Sequence, residues 1–469
     1  MKKIILIFLL IDFCLIAAYA LFNQFDLANI KHPYIGKTTA DIFGEPDYSR
    51  TNGYYRLLSL DEAENVDAES DEIYHKYRQV HDPALYDKAG RKNIKKDKYH
   101  FQTKWRAFVD KHKKWKWMVP MKPNGAHWCK KVIENRELLT ELEEILTVFM
   151  NRYRRFIYSS KIEDITNFNL YFTEDKGQYM GLPNYTTWLN LAKIYNALAI
   201  KDAMEGNWEQ AISSLISHLN ALRKFLKNNR NFAGVQFPTG IMKLTIASIN
   251  TVLNHMNCPD TAFKAIADLP ELTHGEYGLR QFIISEMALN ARFYLEYYIP
   301  ENLDLFESLF YQKKRTKQLY FDHIDKLLAF DQKAPYQWQV GDKLQFNPKQ
   351  SAFWWIQNPI GKHLLSKMNL NLKVFFLKAN ELKARFDLMQ IAAELRLNYT
   401  GKEKPHAVLL RLKTFKKLKD PFSGKPYRWN EKNKWLYSIG PDRKDDLGKY
   451  DFIELMDTDF STSVVLYVR

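Results

Sequence analysis

The chain has 469 residues, which allows two to four domains, and its 46% hydrophobic content is ample for burying a core. Its net charge of +15 and pI of about 9.3 favour an anionic partner, with a merely solvated positive surface as the alternative. The three cysteines include no Cys-x-x-Cys pair, which argues against a zinc ribbon or a dithiol redox motif.

The N-terminus carries the clearest location signal. Lys2 and Lys3 precede an almost wholly apolar stretch over residues 4–22, and about 20 apolar residues span a bilayer core. Because flanking lysines stay on the cytoplasmic side, residues 1–23 predict a transmembrane anchor. The expected location is the inner membrane, in a single pass, with the bulk of the chain in the periplasm.

A cleaved signal peptide is the alternative for the same segment. Ala18-Tyr19-Ala20 fits the small-x-small pattern of a signal-peptidase site. An ionised Asp12 in mid-span would also cost about 2.5–3.5 kcal/mol in a retained helix. Either interpretation takes the chain out of the cytoplasm and disfavours a nucleic-acid partner.

Residues 24–130 are predicted to be irregular because turn signals interrupt them repeatedly. Residues 91–131 hold fourteen Lys and Arg against two Asp, a net charge of +12. Within them, residues 111–117 alternate basic and aromatic side chains. One interpretation is an anionic lipid surface or envelope polymer, with tryptophans at the interface and lysines at the head groups. The other is an amphipathic strand with Trp115 and Trp117 packed inward.

Residues 131–367 predict a helical body. Leu142, Ile145, Leu146 and Phe149 recur at helical spacing. Residues 184–228 then predict a helix pair broken at Gly206-Asn207, and this turn resembles a single tetratricopeptide-type turn without a second copy. The fold class expected for this part is therefore a mainly α helical bundle.

Residues 368–469 predict a long helix followed by a small β-sheet. The helical pattern covers residues 368–397, and short β-branched and aromatic runs follow at residues 435–439 and 463–468. Residues 402–444 hold thirteen Lys and Arg against four acids, a net charge of +9. The positive charge of the chain is thus concentrated in this segment and in residues 91–131.

The most specific motif is Asp-Pro-Phe-Ser-Gly-Lys-Pro at residues 420–426, followed by Tyr-Ser-Ile-Gly-Pro-Asp at residues 437–442. This block resembles the C-terminal domain of the type II secretion major pseudopilins. The whole chain, with Asn358-Pro359-Ile360-Gly361, resembles an uncharacterised family of bacterial envelope proteins that have an N-terminal anchor and a helical middle. The first resemblance implies a small pseudopilin-like α+β domain, and neither implies an activity.

The pseudopilin resemblance also implies a calcium loop, with Asp442, Asp445 and Asp446 as the candidate ligands. Pro441 departs from that pattern and basic residues interrupt the acids, so we assign no metal. Independently of any ligand, the Asp-Pro and Gly-Lys-Pro sequences predict tight turns, and Trp429, Trp435 and Tyr437 can pack the sheet against the helix.

The sequence contains no specific catalytic or cofactor-binding motif. The His-Glu-x-x-His, Gly-x-Ser-x-Gly, P-loop and Gly-x-Gly-x-x-Gly patterns do not occur. Cys129 and Cys258 are left either as one disulfide or as two buried thiols. We assign no catalytic residues and no cofactor, and favour a membrane-anchored envelope scaffold or adaptor that binds a protein partner. The alternatives are an envelope enzyme acting on an anionic substrate and a secretion-apparatus component.

Overall fold

A computed structural model describes the greater part of the helical body and of the C-terminal part. The described residues are 53–58, 60, 100–112, 125–162, 184–229, 232–255, 257–277, 279–284, 295, 303–304, 307–308, 310–338, 358–367, 372–445, 447–448 and 464–467. They are mainly helical, with one small sheet near the end of the chain. The mainly α fold class is therefore confirmed.

The helices, in chain order, are α1 Gly53–Leu58, α2 His100–Lys111, α3 Gly125–Glu134, α4 Arg136–Ile145, α5 Thr147–Ile157, α6 Tyr185–Met204, α7 Trp208–Lys227, α8 Phe232–Leu253, α9 Asp260–Ala267, α10 Leu279–Phe282, α11 Lys313–Asp331, α12 Pro359–Lys367, α13 Leu372–Asn398, α14 Pro405–Leu409 and α15 Lys413–Lys417. Single 3-10 turns lie at His274–Tyr277 and Pro335–Gln337. None of these described helices is both long and apolar enough to cross a bilayer, and the anchor predicted for residues 1–23 lies outside them.

The chain divides into two compact units. The first comprises Met1–Glu45, Phe282–Lys333 and Gln339–Phe375, and the second comprises Pro46–Gln281, Ala334–Trp338 and Phe376–Arg469. The second unit contains most of the described helices and the small sheet.

In the first unit, α11 packs against α12, and the Asn-Pro-x-Gly motif fixes their junction. Asn358 is fully buried with a φ of 53°, and its Oδ1 accepts a hydrogen bond from the Gln312 backbone N–H at 2.9 Å. Its Nδ2 donates to Thr316 Oγ1 at 2.8 Å. A Cβ at Gly361 would overlap both the Asn358 and Thr316 side chains, so this glycine is required for close packing. The motif is thus explained by packing.

In the second unit, α6, α7 and α8 pack against one another around an aromatic core. Trp188 is fully buried and contacts the rings of Phe156 and Phe225 edge-on, with centroid distances of 5.7 and 5.0 Å. The connections between these helices are short, which favours neighbouring helices. The helix pair predicted over residues 184–228 corresponds to α6 and α7.

A buried polar network runs through this core. His218 Nε2 lies 2.6 Å from the Tyr153 hydroxyl, and its Nδ1 lies 2.9 Å from Asn196 Oδ1. The Trp188 Nε1–H donates to the Tyr153 oxygen at 3.2 Å. These partners assign a neutral His218 that donates from Nδ1 to Asn196 and accepts at Nε2 from Tyr153. In agreement, burial lowers the pKa of His218 to about 3.

This network should make the stability of the second unit depend on pH. The folded pKa of His218 is about 3 and its ordinary value is 6.5, so the stabilisation is full above pH 6.5 and is lost as the pH falls toward 3. We expect the His218 contribution to the free energy of unfolding to fall by about 2 kcal/mol between pH 7 and pH 5. Urea unfolding at both pH values, compared between the native chain and His218→Gln, measures it. The exposed His406→Gln variant is the control and should keep the native pH dependence. Equal pH dependence in the native and His218→Gln chains would contradict this assignment.

The sheet is antiparallel, with strand order β1-β2-β3. Its strands are β1 Arg428–Asn430, β2 Trp435–Ser438 and β3 Val464–Tyr467. Arg428 pairs with Tyr437 in the first ladder, and Trp435 pairs with Tyr467 in the second. The two predicted strands are present as β2 and β3, and β1 was not predicted.

Candidate anion-binding surface

Exposed lysines are concentrated within residues 402–444, the second segment that the charge count singled out. Eight of them make no ion pair with any carboxylate among the described residues: Lys402, Lys404, Lys413, Lys416, Lys419, Lys425, Lys432 and Lys444. Two of the acids in this segment are engaged elsewhere. Glu403 pairs with Arg411 at 2.8 Å, and Glu431 pairs with Lys434 at 2.9 Å. The excess positive charge therefore faces solvent.

Three of these lysines lie on or beside α15, and we refer to Lys413, Lys416 and Lys419 as the lysine cluster. At about 100° per residue, Lys413 and Lys416 are roughly 60° apart around α15, on the side away from Phe415. Phe415 is buried, and so are the leucines that flank the helix. The alternation of buried apolar and exposed basic residues thus holds this short helix with its lysines outward.

The carboxylate of Glu394, near the end of α13, caps α15. It accepts hydrogen bonds from the backbone N–H groups of Lys413 at 3.3 Å and Thr414 at 3.0 Å. The first N–H groups of a helix have no partner within the helix, so this cap satisfies two of them. It also attaches the lysine cluster to the longest described helix.

A chain of charged side chains continues from α15 into the interior of the second unit. Lys417 pairs with Glu271 at 3.0 Å, and Glu271 lies 3.4 Å from Lys383. Lys383 contacts both oxygens of Asp387 at 3.0 and 2.9 Å, and the Tyr427 hydroxyl donates to Asp387 at 2.8 Å. These five residues link α15, the segment after α9, α13 and the start of the sheet.

Arg223 on α7 holds the segment that carries Glu271. Its guanidinium donates to the backbone carbonyls of Pro270 at 2.9 Å and Glu271 at 3.1 Å. It also pairs with both carboxylate oxygens of Glu276, at 2.8 and 3.1 Å. Such forked contacts suit the planar guanidinium. Glu271 is consequently presented from a fixed backbone.

The titration behaviour of this network follows from its burial. Burial raises the pKa of Asp387 to about 6, against the opposing effects of Lys383 and Tyr427. Burial also raises the pKa of Tyr427 well above its ordinary value. Burial acts on Glu271 in the same sense, but hydrogen bonding to Lys417 and the charge of Lys383 outweigh it and lower the pKa of Glu271. Asp387 and Glu271 are therefore both ionised at pH 7, and Asp387 is the closer to titrating.

The Asp-Pro-Phe-Ser-Gly turn is built around the carboxylate of Asp420, which is buried. Its oxygens accept hydrogen bonds from the Phe422 N–H at 3.0 Å and the Ser423 hydroxyl at 2.9 Å. They also accept from the Ser438 hydroxyl at 2.7 Å and the Ile439 N–H at 3.3 Å, at the end of β2. The motif is therefore a brace between the turn and the sheet, a role that its turn chemistry alone did not predict.

The candidate calcium ligands are only partly described. The Asp445 carboxylate pairs with Arg428 and accepts hydrogen bonds from the Tyr437 hydroxyl and the Leu447 N–H. Asp442 accepts from the Lys444 N–H at 3.1 Å, and Asp446 lies outside the described residues. Nowhere in the described ranges do three or more His, Cys, Asp or Glu side chains form a group that could hold a metal ion.

The basic and aromatic segment at residues 111–117 is described only at its start. Lys111 lies 2.6 Å from Glu141, and His112 lies 3.1 Å from the same carboxylate. Residues 113–117 lie outside the described residues, so neither interpretation of that segment is tested.

Cys258 is a free thiol, and burial raises its pKa to about 12. The disulfide alternative with Cys129 is therefore not formed in this structure.

The network beneath the lysine cluster was not predicted from the sequence. Glu271, Glu394 and Arg223 belong to no motif, and Tyr427, which follows Pro426 in the C-terminal motif block, had no role assigned to it. The one available signal was the four-residue spacing of Lys383 and Asp387 within a predicted helix, which places them on one face. Comparison with protein-family models gave no match, and neither the curated proteins nor the solved structures gave one.

Proposed function

We propose that this chain is an envelope scaffold or adaptor whose C-terminal part binds an anionic surface through exposed lysines. The observation that carries the proposal is the group of eight solvent-facing lysines in residues 402–444 that no described carboxylate neutralises. An uncompensated patch of one sign attracts polyanions and raises their association rate. The cap from Glu394 and the Lys417–Glu271 pair support the proposal, because they hold the lysine cluster in a defined place.

The location and the partner belong to the same proposal. Lys2, Lys3 and the apolar residues 4–22 support an inner-membrane anchor with the bulk of the chain in the periplasm. Exposed side chains on the helical body, such as Ile133 at 45% and Tyr158 at 58% exposure, are available for contact with a protein partner. The pseudopilin-like character of the C-terminal part rests on its sequence motif.

Removing the lysine cluster tests the proposal. In Lys413→Gln/Lys416→Gln/Lys419→Gln, affinity for inorganic polyphosphate should fall about tenfold, because exposed ion contacts contribute roughly 0.2–1 kcal/mol each. The full chain in zwitterionic nanodiscs is titrated with the polymer at low and high salt. A matched control removes three other exposed lysines, as Lys227→Gln/Lys264→Gln/Lys373→Gln, and should retain binding. If the two triple variants lose polyphosphate affinity equally, binding depends only on net charge and the proposal is wrong.

An envelope enzyme acting on an anionic substrate is the second candidate. Asp387, whose pKa burial raises to about 6, lies beside Lys383 and Tyr427, and such perturbed groups are frequent in active sites. The Asp387 side chain is fully buried, however, and a group that touches substrate needs access. We therefore rank the scaffold above the enzyme.

A further inference from the structure

An exposed leucine lies next to the lysine cluster. Leu410 follows α14 directly and is 53% exposed, whereas its neighbours Leu409 and Leu412 are buried. Lys413 lies three positions further along the chain, so the α-carbons of Leu410 and Lys413 are at most about 11 Å apart. The segment of residues 405–417, here called the α14–α15 segment, thus presents an apolar residue and basic residues close together.

The buried side of the α14–α15 segment is fixed to the rest of the unit. Val408, Leu409 and Phe415 are buried, and the Glu394 cap holds the first turn of α15. Arg411 is paired with Glu403 at 2.8 Å, so the charge beside Leu410 is neutralised. Leu410 and the lysine cluster are therefore held in a preformed arrangement, and little ordering is needed for binding.

We infer that the anionic surface bound by the α14–α15 segment is a lipid bilayer, with Leu410 entering the interface and the lysine cluster contacting lipid phosphates. This inference rests on the proposed function and names its partner. A hydrophilic polyanion contacts the lysines but gains nothing from an exposed leucine. A bilayer binds favourably to both the leucine and the lysines. Apolar side chains enter the acyl boundary, and lysines reach the head groups because their alkyl stems are long and flexible.

Vesicle binding by the full chain tests the inference. The chain is held through its N-terminal segment in phosphatidylcholine nanodiscs, and binding to separate vesicles is measured by flotation. The native chain should bind vesicles containing phosphatidylglycerol and not vesicles of phosphatidylcholine alone. Lys413→Gln/Lys416→Gln/Lys419→Gln should lower this affinity about 100-fold, because each lysine at an anionic surface contributes about fivefold.

Leucine variants distinguish a bilayer from a soluble polyanion. Leu410→Gln should weaken binding to the anionic vesicles about tenfold and leave polyphosphate binding unchanged. Leu447→Gln is the matched control, because Leu447 is 62% exposed but lies outside the α14–α15 segment. Thermal unfolding of each variant establishes that the fold is retained.

The outcomes separate the inference from the proposed function. If the lysine triple variant loses polyphosphate binding but keeps vesicle binding, the bilayer inference is overturned and the anionic-surface function stands. If the lysine triple variant binds both polyphosphate and anionic vesicles as the native chain does, the bilayer inference and the proposed function are both wrong. If Leu410→Gln binds anionic vesicles as the native chain does, the leucine does not enter the interface and the inference is overturned.

Discussion

Replacing Asp420 with alanine should lower the free energy of unfolding by about 4 kcal/mol, because four hydrogen bonds to a buried carboxylate are lost. The donors that remain include the buried Ser438 hydroxyl and the Ile439 N–H, and each loses its partner in a site that water reaches poorly. Urea unfolding followed by tryptophan fluorescence measures the change, since Trp429 and Trp435 belong to the braced sheet.

The control for this prediction is Asp442→Ala. Asp442 also lies in a turn, but its carboxylate accepts one hydrogen bond, from the Lys444 N–H, and is not buried. We expect a change within about 0.5 kcal/mol there. If the two alanine variants unfold at the same urea concentration, Asp420 does not brace the turn against the sheet.

Glu381→Gln should cost about 3 kcal/mol, because it leaves the positive charges of Lys243 and Arg385, whose side chains are only 19% and 21% exposed, without their partner. Glu381 on α13 pairs with Lys243 on α8 at 2.5 Å and with Arg385 at 2.8 Å. Burial raises the pKa of Glu381, but Lys243 and Arg385 outweigh it and lower the pKa to about 2. Burial likewise lowers the pKa of Lys243, so its charge depends on Glu381.

The pH dependence of the unfolding free energy tests the Glu381 prediction in a second way. The folded pKa of Glu381, about 2, lies below its ordinary value of 4.5, so its stabilisation is complete above pH 4.5 and is lost as the pH falls toward 2. The difference in unfolding free energy between native chain and variant should therefore shrink over that range. The exposed pair is the control, since Glu403→Gln should cost under about 1 kcal/mol.

A double variant guards against a trivial loss of folding. Glu381→Gln/Lys243→Met removes both partners and should recover part of the stability lost in Glu381→Gln, because no unpaired ammonium remains on α8. If Glu381→Gln/Lys243→Met is less stable than Glu381→Gln by the full cost measured for Lys243→Met alone, the pairing of Lys243 with Glu381 is refuted.

The helices were predictable wherever the apolar period was long and uninterrupted. The pattern over residues 368–397 became α13, Leu372–Asn398, and the helix pair predicted over residues 184–228 became α6 and α7. Their ends differ by a few residues because neither the caps nor the packing that end a helix are visible in periodicity. The region 24–130, predicted to be irregular, contains α1, α2 and the start of α3, whose helical stretches were obscured by neighbouring turn signals.

The positive charge of the candidate surface could be predicted from the sequence, but the contacts that position α15 could not. Counting charges over residues 402–444 located the excess, since surface lysines remain unpaired whenever acids are scarce nearby. The side chains that position α15 come from far along the chain. Lys383 and Glu271 are 112 residues apart, and Arg223 reaches a loop 47 residues away. Such pairs depend on the tertiary fold, which no local pattern encodes.

The Glu394 cap has a consequence for how the C-terminal part opens. The amide hydrogens of Lys413 and Thr414 are held by a side chain of α13, whose neighbouring residues are buried. A five-residue helix would ordinarily fray on its own. With this cap, exchange of these two hydrogens with deuterated solvent should be tied to separation of α15 from α13, so they should exchange together and more slowly than the amides at the far end of α15.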